Sequence, residues 1–268
     1  MKLLLDIGNS QVKYAFLDSG KLTPSQAFPR SKTGIKASLT SQFKQCPHSV
    51  ESVVIANVAG DKIGQQCSEW IEKKWQITPQ FIHSERRRFG VTNSYEQPNL
   101  LGVDRWLALI AARQHARVAT CVIDCGTAIT VDIVTKYGQH QGGMIFPGLT
   151  LMRNSLLTNA ANITENGPDW SFKTLAMNTE SAVQSGTLYT ISAALERLIS
   201  DLKMQYKGRI RFIITGGDAL TIKPMIEDKI AHYPDIVLKG LAYYARQRNK
   251  PEDDNTDPEE ELETETET

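Results

Sequence analysis

The sequence has no apolar run long enough to cross a membrane, and only Leu3-Leu4-Leu5 stands before Asp6, too short for the core of a secretion signal. Its four cysteines (Cys46, Cys67, Cys121, Cys125) form neither a C-x-x-C pair nor a zinc spacing. Nothing therefore points to a disulfide framework or a zinc site, and reduced thiols in the cytoplasm are expected. The Walker A loop, the Rossmann glycine fingerprint and the protein-kinase glycine loop are all missing, which disfavours those nucleotide folds. No helix-turn-helix is evident. The stretch "PEDDNTDPEEELETETET" (251–268) has no basic residue, no aromatic and one Leu. Such a segment cannot bury apolar surface, so residues 249–268 are expected to be a disordered acidic tail.

What remains is a basic body. The tail holds ten of the 30 acidic residues, leaving 30 basic against 20 acidic over the rest of the 268-residue chain. That balance suits anionic ligands. The Arg triplet in "ERRRFG" (85–90) lacks an aromatic platform and reads as a solvated loop, so neither nucleic acid nor membrane is expected as a partner.

The phrase "LLLDIGNSQVKYAFLDSGKL" returns later as "CVIDCGTAITVDIVTKYGQH". Asp6 falls on Asp124, Gly8 on Gly126, Asn9 on Thr127 and Gly20 on Gly138, every pair offset by 118 residues with no gap. Two copies in register predict two similar halves, 1–118 and 119–248. Beyond the repeats, "SVVIANV" and "PQFIH" read as strands, and "GDKIGQQCSEWIEKKW" and "DRWLALIAARQHA" as helices with an apolar face. "GGMIFPGLTLMRNSLL" reads as a Gly/Pro loop running into a helix. "NTESAVQSGTLYTISAALERLISDLKMQY" reads as a long helix, with Ala182, Ser185, Gly186, Tyr189, Ile191 and Leu195 on its inward face. "RIRFIITGGDAL" is a strand ending in Gly216-Gly217 and entering a helix capped by Asp218, and "KGLAYYARQR" closes the folded part. Hairpins opening each half, with helices between later strands, predict an α/β fold with mixed sheets.

The repeated Asp-x-Gly-polar turn carries chemistry. A glycine after a buried strand lets the backbone turn tightly and present consecutive N–H groups to phosphate oxygens. A carboxylate ending the strand can hold a hydrated Mg²⁺ or another cation facing those phosphates. One copy would be an ordinary hairpin turn; two copies in register place two phosphate-facing turns across a cleft. Gly216-Gly217 then forms a third wall that lets a flat base or ribose approach. Asp124 has no basic neighbour in sequence to neutralise it. Asp104 precedes "RWLALIAAR", where an aspartate also serves as a helix N-cap.

In order and content, "DIGNS", "LLGVDRW", "VIDCGTAITVD", "GGMIFPG", "NTESAVQSG" and "ITGGDA" resemble the type III pantothenate kinases of the actin/Hsp70/sugar-kinase superfamily, over residues 1–245. Ser10 stands where Thr is more usual, and Val103 where Ala is more usual. The resemblance implies two ribonuclease-H-like halves with mixed sheets and flanking helices. It also implies transfer of the ATP γ-phosphoryl group to the primary hydroxyl of pantothenate. On that basis Asp6 lies near Mg²⁺, and Gly8, Asn9, Ser10, Lys13, Thr127, Gly216 and Gly217 contact ATP. Asp124 matches a ligand of K⁺ or NH₄⁺. Tyr95, Gly102, Val103, Asp104 and Arg105 would bind pantothenate, with Asp104 as general base and Arg105 on the carboxylate. Thr179 would reach the substrate from the partner subunit, so the active site would belong to a homodimer. The competing readings are another small-molecule kinase of the same fold and a regulatory protein that keeps it.

Overall fold

Six strands make the first sheet: β1 (Lys2–Ile7), β2 (Gln11–Asp18), β3 (Lys21–Leu22), β4 (Gln26–Pro29), β5 (Ser52–Asn57) and β6 (Gln80–Phe81). Their order is β3-β2-β1-β5-β6, with β4 also on β2. A short hairpin follows, β7 (Arg87–Arg88) and β8 (Val91–Thr92). The second sheet contains β9 (Ala119–Cys125), β10 (Ala128–Val134), β11 (His140–Pro147), β12 (Ile210–Thr215) and β13 (Ala231–His232), ordered β11-β10-β9-β12-β13. In each sheet the opening strand pairs antiparallel with the next strand and parallel with a later one. The repeated phrase is thus a repeated topology. The structure, a computed structural model, describes residues 1–31, 34–44, 46, 50–159 and 170–247. The acidic tail lies outside them.

The helices are α1 (Lys36–Gln42), α2 (Asp61–Trp75), α3 (Val103–His115), α4 (Leu149–Asn159), α5 (Thr179–Gln205), α6 (Ala219–Ile222) and α7 (Ile236–Arg246). Alternation along β1 sends Leu3, Leu5 and Ile7 into a core with Leu39 of α1 and Ile63, Cys67 and Ile71 of α2. Leu4 points the other way, into a core with Trp106, Leu107 and Ile110 of α3, Leu238 and Leu241 of α7, and Val122 and Ile213 of the second sheet. The far face of that second sheet buries Ile123, Ile129 and Val131 against Leu188, Ile191, Leu195 and Ile199 of α5. Two sheets therefore sandwich α3 and α7, with further helices outside each sheet. Contact between α3 and α7 is close: a Cβ on Gly240 would sit 2.3 Å from the Leu107 carbonyl oxygen. No helix among the described residues is long and apolar enough to cross a membrane.

Three expectations need correction. "GGMIFP" is not a loop but most of β11, because "AITVD" of β10 offers it an unpaired edge and the two pair from Ala128–Pro147 to Asp132–Gly143. The inward face of α5 is rotated from the one expected: Ala182, Gly186 and Tyr189 are exposed, while Gln184, Thr187, Leu188 and Ser192 join Ser185, Ile191 and Leu195 inside. Small residues in a helix give a weak facing signal, since they bury little area wherever they point. Asp218 stands at the N-terminal boundary of α6, but its side chain makes no capping bond, and α6 is only four residues long.

Candidate active site

Strand β1 ends at the first repeated turn and β9 at the second. Asp6 lies opposite Lys13 on the neighbouring strand; Asp124 lies opposite Thr130. The hairpins differ by one residue. Ile7 pairs with Val12 across four turn residues, whereas Cys125 pairs with Ile129 across three. Gly8 N–H accordingly donates to Gln11 O at 3.0 Å, and Gly126 N–H to Ala128 O at 3.2 Å. The gapless sequence match is thus exact only up to the turn, after which Ser10 rather than Asn9 becomes the counterpart of Thr127. Ser10 Oγ and Thr127 Oγ1 are 2.8 Å apart. The two turns touch.

Arg30 supports the first turn, its Nε donating to the carbonyls of Gly8 and Asn9 at 3.1 Å each. The third wall leans on the second turn. Gly216 has φ +95°, and a Cβ there would sit 2.3 Å from Cys125 O and 2.5 Å from Asp124 Oδ1. Packing against β9 therefore requires this glycine, whatever ligand it also admits. Gly217 is different: a Cβ there would meet only Gln11 Nε2, at 3.5 Å.

Three carboxylates and one lysine share the cleft. Burial, then the negative charge of Asp104, pushes the Asp6 carboxyl up to about 7, while Lys13 pulls it down and Asp124 adds to the rise. Burial and Asp104 likewise push Asp124 up to about 6 against the pull of Lys13. Sequence neighbours give Asp124 no cation, but the fold brings it Lys13 from the other half. Lys13 Nζ lies 3.4 Å from Pro234 O. Among the described residues no three His, Cys, Asp or Glu side chains converge into a metal cage. Hard carboxylate oxygens in ones and twos suit Mg²⁺ shared with phosphates and waters, and a weakly held monovalent ion.

Asp104 is not the N-cap of α3. Gly102 occupies that position and Asp104 lies in the first turn, where its Oδ1 accepts from the Arg105 N–H at 2.8 Å. A Cβ on Gly102 would approach Asp104 Oδ1 to 2.7 Å, so glycine clears space for this carboxylate. Burial raises the Asp104 carboxyl, opposed by the Arg105 N–H and charge and reinforced by Asp132. Val103 is buried, and with Gly102, Leu101, Val58, Phe81 and Ile82 it lines a cavity of about 500 Å³ at the ends of β5 and β6.

Arg105 is buried and already partnered. Its Nε and Nη2 donate to Asp132 Oδ2 and Oδ1 at 2.7 Å each, and Nη1 donates to the Tyr95 hydroxyl at 3.0 Å. His140 Nε2 lies 2.9 Å from Asp132 Oδ1, with its Nδ1 3.1 Å from Ser94 Oγ. Sequence reasoning missed Asp132 and His140, although a lone aspartate inside the apolar run "AITVDIV" was a signal for the first. The Arg triplet also acquires a role: Arg86 donates to the carbonyls of Asn93, Tyr95 and Glu96 at 3.2, 2.9 and 2.6 Å, holding the Tyr95 loop. Thr179 opens α5 on the exposed surface of the single chain.

Two like sheets, each ending in an Asp-x-Gly turn at a common cleft, make a fold of the actin/Hsp70/sugar-kinase type. The chain belongs to the type III pantothenate kinase family, whose model matches residues 2–201. It is 43% identical over 255 residues to the type III pantothenate kinase of Nitrosococcus oceani, covering 93% of this chain and 96% of that one. It is 32% identical over 251 residues to the one from Halorhodospira halophila, covering 92% and 98%. A solved structure described as a Baf family transcriptional activator from Campylobacter jejuni aligns with TM-score 0.56 at 20% identity, over 90% of this chain and 96% of that one. One described as a 2-dehydro-3-deoxygalactonokinase from Sinorhizobium meliloti aligns with TM-score 0.54 at 14% identity, over 92% and 98%. These two likenesses show the fold alone.

Proposed function

We propose that Asp104 is the general base of a pantothenate kinase. As a type III pantothenate kinase, the chain transfers the γ-phosphoryl group of ATP to the primary hydroxyl of pantothenate, giving 4′-phosphopantothenate and ADP, the first step of coenzyme A biosynthesis. One observation carries the role of Asp104: its carboxylate stands at the start of α3, electrostatically coupled to the Asp of both repeated turns. The acceptor hydroxyl would lose its proton to Asp104 as its oxygen bonds to the γ-phosphorus and the bond to the ADP oxygen breaks. A carboxylate pushed upward by burial is a better proton acceptor than one in water.

The N–H groups and hydroxyls of the two turns (Asn9, Ser10, Thr127), with Lys13, would hold the phosphates; Gly8, whose N–H is taken by Gln11 O, would let them approach the turn closely, and Gly217 would face the nucleoside. Asp6 fits Mg²⁺ and Asp124 fits K⁺ or NH₄⁺; bound there, the ions neutralise phosphate charge, which is most of what phosphoryl transfer asks of its site. Tyr95, Gly102, Val103 and Arg105 would take pantothenate.

The partner we propose is a second copy. β11 is the edge strand of its sheet and exposes Met144 and Ile145; Leu151 and Leu156 of α4, Leu175, Met177 and Tyr189 are also exposed. An apolar edge of this kind is what an isologous dimer covers. Ala182 and Gly186 on the outer face of α5 would let the partner approach closely, bringing its Thr179 to the acceptor. Incubation with pantothenate, ATP, Mg²⁺ and K⁺, followed by mass spectrometry, tests the reading. Phosphopantothenate should form with the wild type and fall at least about a hundredfold with Asp104→Asn. Full activity in the variant would remove the base assignment.

A further inference from the structure

Arg105 enters the acceptor site from the first turn of α3, and the group that fixes it comes from the other half of the chain. Asp132 lies on β10, 3% exposed, and takes the Nε and Nη2 side of the guanidinium in two bonds of 2.7 Å. Side-on pairing locks both the plane and the direction of the fork. It leaves one N–H on each terminal nitrogen beyond the bond from Nη1 to Tyr95 OH. His140, also 3% exposed, sits 2.9 Å from Asp132 Oδ1, and its other ring nitrogen lies against Ser94. Its ring is stacked near Tyr95, with centroids 6.0 Å apart and planes at 15°. No room is left at this point: a Cβ on Gly143 would come within 2.6 Å of Asp132 Oδ1 and 2.7 Å of Arg105 Nη2.

We propose that Asp132 is a positioning residue of the acceptor site, acting through Arg105 and supported by His140. The inference rests on reading Arg105 as the residue that meets the acceptor's carboxylate. A lone buried guanidinium would swing towards whatever acceptor it could find, because an unpaired buried charge is costly. Asp132 satisfies one side of it and aims the rest, and Tyr95 is aimed by the same fork. A purely structural strut between α3 and β10 would look alike in a static picture. The two roles separate in kinetics, since a strut holds the whole cleft and a positioning group acts on one substrate.

Asp132→Asn keeps the shape but presents a donor where Arg105 or His140 needs an acceptor. It should raise the pantothenate KM about tenfold or more while the ATP KM stays within about twofold. Arg105→Lys keeps the charge and removes the fork; it should raise the pantothenate KM too, and the double variant should be no worse than Arg105→Lys alone. A folded Asp132→Asn enzyme with an unaltered pantothenate KM overturns the proposal. So does an equal rise in both KM values, or effects that multiply in the double variant. If Arg105→Lys leaves the pantothenate KM intact, the reading of Arg105 itself has failed, a result visible independently of Asp132. Should Asp132→Asn not fold, His140→Gln carries the test. It retains a donor towards Asp132 but loses the ring, and should raise the pantothenate KM about threefold with ATP unaffected. No change in that variant overturns the proposal equally.

Discussion

Ser10 and Thr127, 117 positions apart in the chain, share a hydrogen bond of 2.8 Å between their hydroxyls. Each comes from one of the two repeated turns, and each stands two residues before the first paired residue of its hairpin's second strand. The contact joins the two halves at the point where the phosphates of a nucleotide would lie, so a ligand there meets both hydroxyls as one donor pair. Ser10→Ala and Thr127→Ala should each raise the ATP KM several-fold and leave the pantothenate KM alone, while costing at most about 1 kcal/mol of stability because the bond is exposed. Steady-state kinetics with either substrate varied would show it. An increase confined to the pantothenate KM would contradict this placement.

The cleft carboxylates make stability depend on pH. Asp6 and Asp124 titrate at about 7 and about 6 in the fold, against 3.8 for the ordinary side chain. Between roughly pH 4 and 7 the unfolded chain therefore releases protons that the folded chain still holds. Stability of the nucleotide-free and cation-free protein should fall as pH rises through that window, and the loss should be complete above it. Asp6→Asn removes the larger contribution. The variant should melt no lower than the wild type at pH 8, and higher if the contribution is dominant, while its kinase activity is lost. Differential scanning calorimetry from pH 5 to 8 gives the comparison.

Activity should require K⁺ or NH₄⁺, with Na⁺ a poor substitute. Asp124 is the group concerned, and Lys13 is the lysine that offsets part of its charge. Asp124→Ala should weaken ATP use more than pantothenate use. Equal turnover in K⁺ and Na⁺ would remove the cation assignment.

The repeat was legible because a glycine after an apolar strand constrains both backbone and sequence, and two copies expose each other. Layering of sheets and helices followed from it. Less legible was anything set by partners distant in the chain. Asp132 reads as an isolated charge in a strand until α3 lays Arg105 against it, and His140 carried no local signal at all. β11 resembled a loop because Gly142, Gly143 and Pro147 are turn residues in isolation. Only the free edge of β10 makes them a strand, and Gly143 has no side chain because a Cβ there would sit 2.0 Å from the Val131 carbonyl oxygen, with the Arg105–Asp132 pair just beyond it. The one-residue difference between the hairpins was also hidden, since a gapless match in letters says nothing of which residues pair.

A shared active site would be revealed by complementation. Thr179 lies at the exposed start of α5, beyond the exposed Leu175 and Met177 and before the exposed Ala182 and Gly186. An Asp104→Asn subunit and a Thr179→Arg subunit should each be inactive as homodimers. Mixed and allowed to exchange, they should recover part of the wild-type rate, because one hybrid site then holds both native residues. Mixed dimers that form, as shown by native mass spectrometry, yet stay inactive would place Thr179 in its own subunit's site or in none.

Asp104→Asn separates chemistry from helix support more cleanly than a capping aspartate would allow. The carboxylate sits in the first turn of α3 rather than at its N-cap, and its local bonds come from backbone N–H groups, that of Arg105 to Oδ1 and its own. Asparagine keeps an oxygen for the Arg105 contact and fills nearly the same volume. It also removes a negative charge from beside Asp6 and Asp124, where that charge works against both. The melting temperature should therefore hold or rise slightly. ATP affinity should survive or improve for the same reason, since phosphates entering the cleft meet one carboxylate fewer. What the amide cannot do is accept the hydroxyl proton, so kcat should drop by about 10² or more. Calorimetry, nucleotide titration and turnover on one preparation measure all three quantities. A variant that melts, binds ATP and turns over like the wild type would show that Asp104 merely shapes the first turn of α3, and would move the search for the base to Asp6.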